Sequence, residues 1–400
     1  MSNESTLSDG VAGAAGTAAR RPPPSVSPSW PIPPTATDSP DPSHPSSPLD
    51  PADLSHPSDP LDPAHPSNPL DSAAPPHPPN PPTMSIAALL GPDAPSNWGR
   101  WGPEDEVGSL NYLTSDQVLK GLAEVVSGQV RTLQIPIGAD DVEADPVYPG
   151  RAQAVRTALR DEGFWRRGEV PETADGHHWA DDAIAMPLQG TTQYDALGHV
   201  WYDGRLWNGY DAMTTDGRLR KCSVAAIAER GVVGRGVLID LARSRGKPWL
   251  ERGEVFDHRD LLEAAARQGL EIERRDILLI RTGWLEYYRT VPNQVFYDDF
   301  LEPGLTYSRA LVEWFQDMEI PNLVTDTIAV ETTFEPATGV QLPLHSALMR
   351  NLGVALTEMC WLKDLAELCQ AQGRWSFLYL AAPLKVVGAS GSPVNPVVVL

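Results

Sequence analysis

DHRDLLEAAARQGLEIERRDILLIRTGW, residues 257–284, sets a helix signal directly ahead of a strand signal. Asp257 is a side chain suited to capping a helix start, and Gly269 is suited to closing its end. DILLIRTGW, residues 276–284, is a short Ile/Leu run between turn residues and reads as a buried strand. GVLIDLA (236–242), NLVTDTIAV (322–330) and FLYLAAPLKVVG (377–388) repeat the strand pattern. SDQVLKGLAEVVSG (115–128) predicts a helix capped by Ser115 and closed by Gly128, and PGLTYSRALVEWFQDM (303–318) predicts one with Pro303 near its first turn. Alternating strands and helices predict the α/β class and leave the strand order open.

The 40 prolines of this 400-residue chain crowd its front end. Residues 1–83 are Pro, Ser, Ala and Asp with few aromatic or large aliphatic side chains, too little apolar surface to offset the entropy of ordering, so a disordered tail is expected. Within it HPSSPLDPADLS, HPSDPLDPA and HPSNPLDSA form a degenerate repeat. His44, His56, His65 and His77 are read as products of that repeat, not as a chelating site. Residues 84–400 are expected to form a single domain large enough for a sizeable core.

The net charge of −22 argues against nucleic acid as a partner, because binding it requires a positive patch against phosphate. Three cysteines, Cys222, Cys360 and Cys369, lack CxxC spacing, so neither a disulfide framework nor a zinc ribbon is indicated, and a cytoplasmic setting fits. The N-terminus lacks a basic region followed by an apolar core, and no apolar run is long enough to span a bilayer, so no membrane association is expected.

Beyond the tail only His177, His178, His199, His258 and His345 remain. His258 follows the Asp257 cap and is expected at the surface. His177 and His178 are adjacent in a polar loop, and neighbouring side chains rarely converge on one ion. In QGTTQYDALGH (189–199), His199 follows Asp195 by four residues, close enough to share a face if the segment turns helical. In LPLHSALMRNLGVALTEM (342–359), His345 precedes Glu358 by an apolar run that reads as a helix followed by a strand or turn.

Taken in order, NWGRWGPEDEVGSLNYLT (97–114), QGTTQYDALGH, GRGVLIDLARSRG (234–246), DILLIRTGW, TDTIAVE (325–331), the segment from His345 to Glu358 and SPVNPVVVL (392–400) resemble the cyclase family of hydrolases. That family includes bacterial kynurenine formamidases and isatin hydrolases. Its signature is HxGTHxD with a further histidine four residues on; Asp195 and His199 match it, while Gln189 and Gln193 stand where histidines are expected. The resemblance implies a cyclase-like fold of the swivelling β/β/α type and arylformamidase-like hydrolysis of a small amide, lactam or ester, as in tryptophan catabolism. It implies metal contact for Asp195, His345 and Glu358, acid/base work for His199 and Glu358, and ligand positions for Gln189 and Gln193. Amide oxygens are weaker, harder donors than imidazole, so a zinc site is weakened and manganese or magnesium gains.

Trp98, Trp101, Tyr194 and Trp201 are candidates to contact a flat, aryl-bearing substrate, with Tyr202, Trp207 and Tyr210 close by. In the family an N-terminal segment often reaches a neighbouring subunit, so a homo-oligomer is expected and Trp98 and Trp101 are also candidates for an interface. Two other readings stay open. One is a metal-free cyclase or dehydratase in which Gln189 and Gln193 donate to a substrate oxyanion while His199 is the base. The other is a protein that binds a small molecule without turnover.

Overall fold

The strand expected at 276–284 forms at the middle of a sheet. The computed structural model describes residues 82–138, 151–168, 175–297 and 301–400. The tail expected over 1–83 therefore lies outside the described residues, except for Pro82 and Thr83. The strands among them are β1 (Val130–Thr132), β2 (Val155–Arg160), β3 (Asp181–Ala185), β4 (Gln193–Asp195), β5 (Val232–Asp240), β6 (Val255–Phe256), β7 (Ile277–Arg281), β8 (Gly304–Leu305), β9 (Asn322–Thr325), β10 (Ala355–Glu358), β11 (Ser376–Ala381), β12 (Gly391–Pro393) and β13 (Val397–Val399). One nine-stranded sheet runs in the order β1, β13, β11, β5, β7, β9, β10, β4, β12. Its middle, β5 to β10, is parallel. Antiparallel strands flank it, β11, β13 and β1 on one side and β4 and β12 on the other.

The parallel strands are covered on both faces, which is why they read as continuous apolar runs. Successive side chains point to opposite faces, so Leu278 and Ile280 of β7 join one core with Val237, Ile239, Leu323 and Leu356. Ile277 and Leu279 join the other with Leu238, Val324, Phe377 and Tyr379. Helix His258–Gln268 sets Leu261, Ala264 and Ala265 into the first core. Asp257 caps it by accepting the Arg259 and Asp260 amides, Asp260 returns a bond to the Asp257 amide, and Gly269 closes it at φ 66°.

Four local expectations change. Helix Ser115–Ala123 is preceded by Thr114 in the cap position and ends before Gly128. The helix expected near Pro303 begins at Arg309, because residues 304–305 pair with β6 and the Ser308 hydroxyl caps the Leu311 amide. After Asp195 the chain turns, with the His199 amide donating to Ala196, instead of becoming helical. His258 is half-buried, its ring stacked on Trp314 at 5.9 Å. Among the described residues no helix is long and apolar enough to cross a membrane.

Candidate metal centre

β4 is three residues long and wholly buried, and its alternation sorts its side chains. Tyr194 points into the second core, where its hydroxyl donates to Asn322 Oδ1 at 2.6 Å and lies 3.2 Å from that of Tyr379. Gln193 and Asp195 take the other face. β10 lies antiparallel beside β4 and places Glu358 opposite Gln193. The third contributor, His345, opens a wide π-helix, His345–Leu352, that returns the chain to β10. This helix closes at Gly353, with φ 74° and its Cα packed on Gly108, where a Cβ would sit 2.8 Å from the Gly108 Cα.

Asp195, His345 and Glu358 thus meet, each offering one ligand atom, all within 4.8 Å of one another and all buried. His345 Nε2 lies 3.3 Å from Glu358 Oε1 and 3.9 Å from Asp195 Oδ2. Its other nitrogen, Nδ1, is 2.7 Å from Glu331 Oε1, and Glu331 also accepts the backbone amides of Leu344 and His345. Glu331 holds the Nδ1 side of the ring, which leaves Nε2 as the nitrogen that faces the two carboxyl groups. Gln193 donates Nε2 to Glu358 Oε2 at 2.9 Å. The opposite amide orientation would set oxygen against carboxylate, so chemistry fixes this one.

Three buried oxygens in this cluster, Asp195 Oδ1, Glu358 Oε1 and Gln193 Oε1, have no hydrogen-bond partner among the described residues. Leaving such atoms unpaired is costly, and a divalent cation would satisfy them. Burial pushes the Asp195 carboxyl above its ordinary range, the Glu358 charge adds to this, and His199, His345 and Arg151 oppose it. Burial also disfavours charge on His345, but the hydrogen bond to Glu331 and the nearness of the Glu358 and Glu331 carboxyl groups outweigh it and carry the ring well above its usual value. The donor set of one imidazole, two carboxylates and an amide oxygen fits a dication.

His199 is half-buried beside this cluster, within the electrostatic reach of Asp195, His345 and Arg151. Burial lowers its imidazole pKa and Asp195 partly restores it, so the ring stays neutral near pH 7. Gln189 is buried and donates Nε2 to Ser390 Oγ at 3.1 Å, closing on Gly391 so tightly that a Cβ there would meet Nε2 at 2.5 Å. Gly391 pairs with Asp195 across β12 and β4, so Gln189 stands one strand away from the carboxylates.

The aromatic candidates do not gather with the acids. Trp98 donates to the Arg350 carbonyl and stacks on the Arg350 guanidinium at 4.3 Å, packing on the helix that His345 begins. Trp101 meets Tyr112 edge-on at 4.9 Å, and Trp201 is 47% exposed. His178 is stacked on Trp165 at 4.9 Å. Sequence reasoning missed Glu331 and Glu302. Glu302 is buried and accepts the amides of Ile328 and Ala329, with Glu358 and His345 among the charges that act on it. Burial, aided by Glu358, pushes its carboxyl well above the ordinary range. The signal for Glu331 was an acid ending the apolar run IAV, a feature with no partner nearby in sequence.

The family model for the cyclases matches residues 52–332, a span that ends before His345 and Glu358. The chain belongs to the cyclase family. A crystal structure described as a novel cyclase is 33% identical, with a TM-score of 0.69, over 76% of this chain and 98% of that one. Isatin hydrolase A from Labrenzia aggregata, bound to benzyl benzoate, is 20% identical with a TM-score of 0.49, over 71% of this chain and 97% of that one. An isatin hydrolase bound to the product analogue thioisatinate is 19% identical with a TM-score of 0.48, over 72% and 99%. No curated protein matches the chain.

Proposed function

We propose that the protein is a metal-dependent hydrolase of a small amide, lactam or ester, of the arylformamidase kind. The observation that carries the reading is the cluster of Asp195, His345 and Glu358 with its three unpartnered buried oxygens. Asp195, His345 and Glu358 would hold a divalent ion, with Gln193 Oε1 as a further oxygen donor. Such an ion, when bound, polarises a carbonyl and lowers the pKa of a water. Glu331, bonded at Nδ1, would leave Nε2 of His345 to face the ion. His199, neutral because burial lowers its pKa, accepts the proton of the attacking water and returns it to the leaving group.

The reading in which Gln189 and Gln193 act as oxyanion donors has less support, since one of the two N–H donors of each amide is already engaged, by Ser390 and Glu358 respectively. The test is hydrolysis of formanilide by protein stripped with chelator and reloaded with manganese, zinc or magnesium. Turnover should appear only on reloading and fall by about 100-fold or more in His199→Ala with metal binding retained. Turnover unaffected by stripping would sink the metal-dependent reading.

A further inference from the structure

A second feature adjoins the acidic cluster. A cavity of about 420 Å³ opens between Glu302 and the loop 332–339, with Thr83 and Leu301 at its sides. Its volume falls in the range of small-molecule pockets, about 300–1,000 Å³. Glu302 ties it to the candidate metal centre. Glu302 lines the cavity, and its carboxyl holds the amides of Ile328 and Ala329 and lies within the electrostatic reach of His345 and Glu358. The loop starts at Thr332, the residue after Glu331, which grips His345.

The lining has a definite chemistry. Phe334 and Leu301 supply apolar wall, and the threonines Thr332, Thr333 and Thr338 complete it. Among the described residues that line it, the ionisable groups are Glu302 and Glu335, and none is Lys, Arg or His. Glu335 is held in place by the amide and hydroxyl of Thr338. An anion entering here would lose water and gain no positive partner, which is costly. An uncharged ring or an ammonium would meet apolar wall and the Glu335 side chain.

We propose that this cavity is the substrate-recognition pocket, and that it admits an uncharged or cationic aryl or alkyl group and rejects an anionic one. The assignment rests on the hydrolase reading for the word substrate, and on the cavity itself for the charge preference. Calorimetry with benzylamine and benzoate, two probes of matched size and opposite charge, tests it on the full chain. Benzylamine should bind at least about tenfold more tightly than benzoate. Ala337→Trp, at the exposed rim, should weaken benzylamine binding at least about tenfold. In turnover, Ala337→Trp should raise KM for formanilide with kcat little changed, and benzylamine should inhibit competitively. Benzoate binding as tightly as benzylamine, or benzylamine binding untouched by Ala337→Trp, would overturn the proposal. The binding measurements need no turnover, so a protein that binds benzylamine here and hydrolyses nothing keeps the charge-selective pocket and loses the hydrolase reading.

Discussion

β4 with β10, and β2 with β3, are both antiparallel strand pairs, and they use apolar and polar residues in opposite ways. In β4 and β10 every residue is buried, and polar side chains survive there because each has a partner: Gln193 on Glu358 across the pair, and Tyr194 on Asn322 of β9. In β2 and β3 no residue is fully buried, and Val155, Leu159 and Ile184 stand 50–53% exposed. Ion pairs there, Arg156 with Asp182 and Arg160 with Asp181, lie on the surface, where such pairs contribute little. The lesson is that pairing geometry alone does not decide what a strand is for; what covers its two faces does.

The comparison breaks most sharply at Asp195. If β4 exists to aim its carboxylate, Asp195→Ala should lower manganese affinity by about 100-fold or more, measured by calorimetry. Glu331→Gln, which touches only His345 and its neighbours, should lower it by about 10-fold to 100-fold. A Glu331→Gln protein with parental metal affinity would show that the hold of Glu331 on His345 does not matter to the site.

A second difference between the regions concerns titration. Asp326, at the end of β9, is fully buried; burial, with the Glu286 charge adding, raises its carboxyl to about 7. It accepts bonds from the Thr282 amide and hydroxyl and from the Gly283 amide. Because its folded pKa lies above the ordinary value near 3.9, its stabilising contribution is complete below about pH 4 and is lost as pH rises through about 7. Asp326→Asn does not titrate and loses acceptors, so it should melt below the parent at pH 4. That gap should narrow by at least about 2 °C between pH 4 and pH 8. A gap constant with pH would show that Asp326 is ionised throughout.

Much of this was legible in the chain, and the exceptions share a cause. The parallel strands were readable because cover on both faces leaves an unbroken apolar run, and helix His258–Gln268 because both its caps are local. Pro303 misled because the pairing of β8 with β6 is a long-range event that delays the helix to Arg309. Tyr194 sits beside two site residues in sequence and faces away from them in space, as strand alternation requires. Asp195, His345 and Glu358 were named through the family resemblance, and their meeting depends on the pairing of β4 with β10. Glu302 was out of reach because its partners are backbone amides of a remote segment, and Glu331 because the two amides and the His345 ring that it holds lie 13 and 14 residues further on, a spacing that no local pattern marks.

The smallest expected effect concerns the hairpin itself. Leu356 is fully buried in β10 within the first core, and Leu356→Ala should cost about 2–5 kcal/mol through lost burial and the cavity left behind. Leu159 carries the same side chain on β2 at 53% exposure, and nothing in the described chain covers it. Leu159→Ala should therefore change the unfolding free energy by no more than about 0.5 kcal/mol, as should Ile184→Ser on the partner strand. Urea unfolding of the three variants, read as midpoint shifts at constant m-value, makes the contrast quantitative. A loss beyond about 1 kcal/mol in Leu159→Ala would mean that this side chain is covered in solution, and a loss that grows with protein concentration would identify the cover as a second copy of the chain.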